Sequence, residues 1–473
     1  MKQIFRCYLR TLAPVHIGSD EVYEPMGFVI NENTKQMTVF EPVNFFSQLS
    51  HQDLEKFSRI CLQGSIASIL EIYKFLQGRP VHGRTIEVSA GLVEQYRKTL
   101  SISVGDERKI QNELNRFTIG RTSFLQSDQR PYIPGSGVKG VLRTAYLSAR
   151  AKIKKVPQQK GRFAAKELEK TLLDGGSFES DPFRLVKVSD FKPVGEVRTR
   201  IVYAINQKKK PSKFEARGPF QILEVIQPGA VFVGDITVDF PQKGATIRTP
   251  IKQDDLLKAA AIFYKTEKIR EDDELKSVGI NPLSIPADTN ILRIGRHSGA
   301  ESLTINGHRN IKIMRGSGQP ALYMDHATTV WLASDYAKPE HKNDLVPFGW
   351  VQLAEMNAET EQQFEQAEKD WQTKPKSQFK ALTEIVSGNT ESSPPAKPSI
   401  AEMSPFEKLL KELSLINAQD AGRIGTVIQK IETLKTDQEK AEIAKAIRDK
   451  IGEKAFKKHK QKDYLAGLIA KVA

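Results

Sequence analysis

The chain has 473 residues, a length that points to two folded units with appendages rather than one ordinary core. Its hydrophobic content of 39% is low for a soluble protein, so part of that length is expected in linkers or exposed helices. The 71 Lys and Arg against 57 Asp and Glu leave a net charge of +14, which favours a polyanion such as nucleic acid over a neutral metabolite as partner, with a solvated basic surface as the plainer alternative.

With only Cys7 and Cys61, a disulfide scaffold and a four-cysteine zinc site are excluded, and both thiols are expected as small buried hydrophobes in a reducing compartment. The opening MKQIFRCYLRTL alternates polar and apolar residues instead of forming the apolar run of a signal peptide. No run of about 20 apolar residues follows, so a cytoplasmic protein without membrane contact is expected.

Along the chain, residues 3–12 show near period-two spacing in Ile4, Tyr8 and Leu12. After a Gly- and Pro-containing loop, APVHIGSDEVYEP, the run GFVINENTKQMTVFEP reads as two short strands around an Asn-rich turn. In EPVNFFSQLSHQDLEKFSRICL the residues Phe45, Phe46, Leu49, Leu54 and Phe57 fall on roughly one helical face. Strand, strand, helix opens an α+β fold in which helices cover one side of an antiparallel sheet. After RTIEVSAGLVEQYRKTL and ERKIQNELNRFTIG comes a Gly-rich stretch, YIPGSGVKGVLRTAYLSAR, with a helix from about Val138. Residues 181–239 hold four strand-like runs, FRLVKVSDF, VRTRIVYAI, FQILEVI and AVFVGDITVDF. Between the second and third, NQKKKPSKFEARG is too polar for a core and is expected as an exposed basic loop or hairpin tip. A helix is expected over 253–270, then strands around NILRIGRHSGAESLTINGHRNIKIMRGSG, and closing strands in TTVWLASD and LVPFGWVQLAEM. A polar flexible linker is expected over 356–403, ending in SGNTESSPPAKPS, and a helical region over 404–473, where SPFEKLLKEL offers a Ser cap, Pro in the first turn and Glu three residues on. The Gly-rich loops at 135 and 295 suggest two related halves.

The stretch 132–150 spells G-x-G-x-x-G at Gly135, Gly137 and Gly140. A dinucleotide loop follows a buried strand and is trailed by an acid that takes the ribose hydroxyls. Here the proline-flanked SDQRPYIP precedes it and the basic KVPQQKGRFAAKE follows. An NTP loop places Lys and then Ser or Thr after its last glycine, whereas Lys139 precedes Gly140. No cofactor and no metal are therefore expected. Small residues at a helix N-terminus, with Lys139 and Arg143 four apart on one face, suit a phosphate backbone. The alternative is a structural turn capping a helix that carries two solvated cations.

These residues carry a family resemblance. YIPGSGVKGVLRTAYL resembles the I-P-G-S-S-x-K-G-x-L-R segment of CRISPR RAMP proteins, and LAPVHIGSDEVYEPMGFVI resembles their L-x-P-V-H-I-G-S-G opening. LRIGRHSGAESLTI followed by PFGWVQL resembles the late Gly-rich loop and closing strand of the Csm-five family, subunit five of the type III-A Csm effector complex. The resemblance implies two tandem RAMP modules of ferredoxin-like fold with insertions, here 1–180 and 181–355. It further implies a subunit that binds guide RNA (crRNA), caps the complex at the 3′ end and supports crRNA maturation and antiviral defence. Its implied partners are the backbone RAMP subunit, the small helical subunit, target RNA indirectly, and recruited host nucleases. Gly135, Ser136, Gly137, Lys139 and Arg143 fall on the Gly-rich loop and are expected at guide phosphates. His16, Gly18 and Ser19 fall in the first-strand loop, and Arg293, Arg296, His297 and Ser298 in the late loop, where phosphate or ribose contacts are expected. His16 also fits a packing role. Asp20 stands where a glycine is commoner, and the tail beyond about 356 exceeds what the resemblance explains.

Catalysis is not expected. Backbone RAMP subunits cut target RNA with an aspartate after the first strand; DEVYEPMGF offers Asp20, Glu21 and Glu24 without the Gly-Gly-x-Asp setting. The alternative is a RAMP endoribonuclease that processes crRNA or cuts target RNA with His16 or His297 as general acid or base.

Overall fold

The computed structural model describes residues 2–374, apart from 159–160, 162, 176, 217 and 316–317, and residues 405–470, apart from 416–420, 435, 453–455 and 457–460. The chain divides into two units, 1–384 and 385–473.

The first unit is organised by an antiparallel sheet of β1 (Gln3–Thr11), β7 (Val186–Val188), β8 (Lys192–Pro193), β11 (Val231–Val238), β12 (Ile291–Arg293) and β17 (Trp350–Glu355). Its order is β12-β17-β1-β11-β7, with β8 carrying the line of β7 along β11. Helices α6 (Gly135–Lys154), between β1 and β7, and α8 (Gln253–Ser277), between β11 and β12, pack together. The succession β1-α6-β7-β11-α8-β17, with β1 and β11 central, is a ferredoxin-like β-α-β-β-α-β module with β12 as an added edge. Alternation along β1 buries Cys7, Leu9 and Thr11 on one face. Against it lies the inner stripe of α6, Val138, Val141, Leu142 and Ala145, with Phe232, Tyr264 and Trp350 in the same core.

Three insertions into this module build a second sheet. The first supplies β2 (Gly18–Val22), β3 (Phe28–Asn31), β4 (Gln36–Val39), β5 (Arg84–Val88) and β6 (Ile119–Thr122), with α1 (Pro42–Phe46), α2 (His51–Leu62), α3 (Ile66–Leu76), α4 (Ala90–Leu100) and α5 (Glu107–Leu114). The second supplies β9 (Thr199–Lys208) and β10 (Gln221–Ile226); the third supplies β15 (Thr329–Ser334) and β16 (Val346–Pro347). The order is β2-β6-β10-β9-β5-β4-β3, with β15 on the C-terminal half of β9. A separate hairpin joins β13 (Ile311–Ile313) to β14 (Leu322–Met324), and α7 (Ala164–Leu173) follows α6.

The α+β class and a ferredoxin-like module are as the sequence suggests, but the modules interleave. Each sheet draws strands from both sides of residue 180, so a boundary at 180/181 separates neither, and the Gly-rich loops at 135 and 295 both belong to the first sheet's module. The helix expected across 41–62 is two helices, because Ser50 leaves the helical backbone and caps α2 by accepting from the Asp53 amide. Cys7 is buried as expected, whereas Cys61 is exposed.

The first part of the expected linker is instead a helix, α9 (Ala358–Thr373), started by a capping box between Asn357 and Thr360. It seats Phe364 edge-on against Tyr8, with ring centroids 5.2 Å apart. The Arg130 guanidinium lies 3.6 Å over the Trp371 ring and pairs with Glu368 at 2.7 Å, and Glu368 also accepts from the Gly195 amide. Glu361 pairs with Arg6 at 3.4 Å, and composition reads polar here because a few contacting side chains in sixteen residues suffice. SGNTESSPPAKPS and Ser404 lie outside the described residues.

The second unit holds α10 (Pro405–Leu415), α11 (Ala421–Lys430), α12 (Asp437–Ile451) and α13 (Lys462–Ala470) around Leu409, Leu413, Val427, Ile428, Ile447 and Leu465. No helix among the described residues is long and apolar enough to cross a membrane.

Glu368→Ala strands half of the Arg130 bonding, and we expect about 1.5–3 kcal/mol lost in chemical denaturation, together with faster proteolysis near Lys374.

Candidate nucleic-acid interface

The segment that leaves β1 threads between the two sheets and ties the loops together. His16 accepts the Arg296 amide on its carbonyl at 2.8 Å, and the Gly349 amide donates to the Pro14 carbonyl at 2.9 Å. Gly295, at φ +80°, is obligatory here, since a Cβ would stand 2.5 Å from the His16 carbonyl oxygen. The first-strand loop and the late loop are thus one junction.

The residues expected at RNA divide by burial. At the junction, Gly18 and Arg296 are exposed, and the Arg296 guanidinium makes no hydrogen bond or ion pair among the described residues. Ser19 is half-buried and donates to the Arg121 carbonyl. His16 is 2% exposed, with Nδ1 2.7 Å from the Glu224 carbonyl oxygen, and burial lowers its pKa. His297 has a left-handed backbone at φ +65°, held by stacking on Trp331 at 4.4 Å and by Nε2 3.1 Å from Gln221 Oε1. Burial, with Arg296 and His16 nearby, pushes its pKa down to about 3.

Two residues of the late loop are corrections. Arg293 is 1% exposed; it pairs with Glu271 at 2.6 Å, donates from Nε to the Phe348 carbonyl and lies over the Trp350 ring. It is a core counterion, out of reach of RNA. Ser298 is equally buried and donates to the Ile294 and Gly295 carbonyls, closing the turn from inside.

At the head of α6, the Gly135 amide donates to Asp190 Oδ1 at 2.8 Å, and a Cβ on Gly135 would meet the Val188 and Ser189 carbonyls at 2.4 Å. Gly135 therefore serves close packing. Ser136 and Gly137 are exposed beside it. The Lys139 ammonium is half-buried, has no hydrogen-bond or ion-pair partner among the described residues, and has its pKa lowered by burial. Arg143 is taken up by Glu169 at 2.7 Å and Asp181 at 2.9 Å, so it braces the helix rather than awaiting a phosphate. Asp20 has φ +58°, the conformation that makes glycine the easier residue there.

Composition left Gln221, Trp331 and Phe348 unmarked. Only pairing of β9 with β15 brings Trp331 beside His297. Arg296 stands at the wall of a cleft of about 1190 Å³ over the second sheet, lined also by the basic loop between β9 and β10.

An α+β protein on a ferredoxin-like sheet, with Gly-rich loops and unpaired cations beside it, is the class these features define. The chain belongs to the RAMP superfamily, whose family model matches residues 8–296. A curated relative, "CRISPR system Cms protein Csm5" of Streptococcus thermophilus, is 28% identical over 275 residues, 56% of this chain and 70% of that protein. Among solved structures, the chain is similar to one in the cryo-EM structure of a Csm–crRNA–target RNA ternary complex of a type III-A CRISPR-Cas system, at 19% identity and TM-score 0.45 over 74% of this chain and 100% of that one. It is also similar to the crystal structure of T. onnurineus Csm5, at 17% identity and TM-score 0.40 over 73% and 99%.

Arg293→Ala abandons Glu271 in the core and is expected to cost about 3–5 kcal/mol in denaturation, whereas Arg296→Ala leaves stability within about 0.5 kcal/mol. The unfolded chain protonates His297 near its ordinary 6.5, while the folded chain resists until about 3, so stability falls as pH drops below about 6.5. Glu301, held by Lys209 at about 2 against the opposing effect of burial, joins the loss only below its ordinary 4.5. His297→Gln is therefore expected to remove about 1.4 kcal/mol per pH unit from the slope between about pH 6 and 5, read from denaturation midpoints.

Proposed function

We propose that this chain is a guide-RNA-binding subunit of a type III-A Csm effector complex, seated at the crRNA 3′ end and acting without catalysis of its own. Membership of the RAMP superfamily carries the reading, and the relative named Csm5 narrows it to this subunit. The net charge of +14 and the unpaired Lys139 and Arg296 support a phosphate-rich partner. In this reading Ser136, Gly137 and Lys139 at the head of α6, and Gly18, Ser19 and Arg296 at the loop junction, meet guide phosphates and riboses. Gly135, Arg143, Arg293 and Ser298 position them from behind, and His16 and His297 orient the loops. The backbone RAMP subunit, the small helical subunit and target RNA are the proposed neighbours, with crRNA maturation and recruitment of host nucleases as the wider role.

Burial of His16 and the stacked, low-pKa His297 favour binding over cleavage, because a metal-free ribonuclease needs an accessible histidine at the 2′-hydroxyl. Lys139→Ala with Arg296→Ala is expected to weaken labelled crRNA binding at least about tenfold at physiological salt and to lower the slope of log K against log salt by about 1.4. Unchanged affinity sinks the assignment. Labelled crRNA precursor is expected to stay intact with and without magnesium; products that vanish in His16→Ala or His297→Ala overturn the non-catalytic reading.

A further inference from the structure

The cleft over the second sheet is built for more than one phosphate. Its volume of about 1190 Å³ exceeds the range of about 300–1,000 Å³ typical of pockets for small ligands. Among its described lining residues are seven Lys and Arg against two Glu. None of the seven makes an ion pair among the described residues; Lys208 and Lys342 donate to Ser212 and to the Val278 carbonyl, and Arg116, Lys210, Lys213, Arg296 and Lys338 make no side-chain hydrogen bond either. Cations crowded without counterions raise the local potential and call for an extended anion.

The loop that forms one wall is braced. Lys209, at its root, is buried and pairs with Glu301 at 2.5 Å and Glu274 at 3.1 Å. Ser212 accepts from Lys208 Nζ at 2.9 Å and from the Phe214 amide at 3.1 Å, which fixes the turn. The result is a Phe214 ring that stands 76% exposed on a lysine-rich loop, with Lys208 Nζ 5.8 Å from its centroid, so an aromatic face beside a cation is open to a flat ligand.

We propose that this cleft holds a short single-stranded RNA segment, with a base stacked on Phe214 and phosphates held by Lys210, Lys213 and Arg296. The proposal rests on the guide-binding reading and adds to it a second contact region, on the insertions rather than at the head of α6. Stacking on an aromatic face tolerates any base, so the site needs no particular sequence.

The test uses the full chain and a fluorescein-labelled oligouridine 8-mer, free and as a duplex, in anisotropy titrations over a salt series. Single strands are expected to bind more tightly than duplex. Phe214→Ala is expected to weaken them about tenfold at unchanged salt slope, with Phe214→Tyr restoring affinity. Lys210→Ala with Lys213→Ala is expected to lower the slope by about 1.4. If these variants bind like the parent while Lys139→Ala alone weakens crRNA binding, the cleft is not an RNA site although the guide-binding reading stands. If the parent binds neither the 8-mer nor crRNA, both fall. If a polyglutamate peptide, and not RNA, depends on Lys210 and Lys213, the occupant is an acidic protein segment and the proposal is overturned.

Discussion

Three carboxylates on the inner face of α8 fix the way the first unit is put together. Glu267, Glu271 and Glu274 lie four and three residues apart, one above another on the helix. Beside Arg270 of the same helix, which pairs with Glu267 and Glu274, cations reach them from three separate segments: Arg309 from the stretch before β13, Arg293 from β12 and Lys209 from just past β9. Burying so many charges is costly, and the cost is offset only where every partner is in place, including Trp350 Nε1 donating to Glu271 at 2.6 Å. One seating of the helix satisfies them all, so register is set between the ferredoxin-like module and its second and third insertions.

The loop geometry at the surface follows from those anchors. Arg293 is held in the core, and three residues later Arg296 points to the cleft, with the turn between them made by Gly295 against the His16 carbonyl and closed by Ser298. In the same way Lys209 is pinned inside, and Lys210 and Lys213 emerge just beyond it. Two basic stretches each commit one cation to the fold and present the next at the cleft. A second buried knot sits behind His16, where Glu224 accepts from Tyr23 at 2.8 Å and the Thr122 amide at 3.2 Å and pairs with Arg84 at 2.9 Å. That knot ties β2, β5, β6 and β10 into one sheet.

Much of this was legible in sequence, and the failures share a cause. Alternation located β1, whose apolar face is buried against one side, and continuous apolar runs located β9 and β10, which bury both faces: Ile201, Tyr203 and Ile222 on one, Val202, Ala204 and Leu223 on the other. The helix expected over 253–270 runs on to Ser277 because its last turns, EDDELKS, look solvated yet bury Glu271 and Leu275. Arg293 misled for the same reason: a charge in a Gly-rich neighbourhood reads as surface, and only its distant partner Glu271 shows otherwise. Phe364 and Trp371 could not mark α9 as docked without Tyr8 and Arg130, hundreds of residues away in sequence. The Gly-rich motifs were visible as spelling; which of their residues face solvent depends on contacts with Asp190, Glu169 and Asp181. Interleaving of the modules is invisible locally, since each insertion begins and ends on strands that look like any other.

The net charge of +14 does not by itself locate a binding surface; the choice between arginine and lysine does. Arg84, Arg130, Arg143, Arg270, Arg293 and Arg309 are all engaged by carboxylates, some forked between two, which is the use that a planar guanidinium serves best. The cations left without ion-pair partners among the described residues at the head of α6 and around the cleft are mostly lysines, Lys139, Lys208, Lys210, Lys213, Lys338 and Lys342, joined by Arg116 and Arg296. Lysine is a flexible point charge that follows a phosphate without reading a base. On the function proposed above, a surface made this way holds a phosphate backbone of any sequence, and the arginines behind it keep its loops in place.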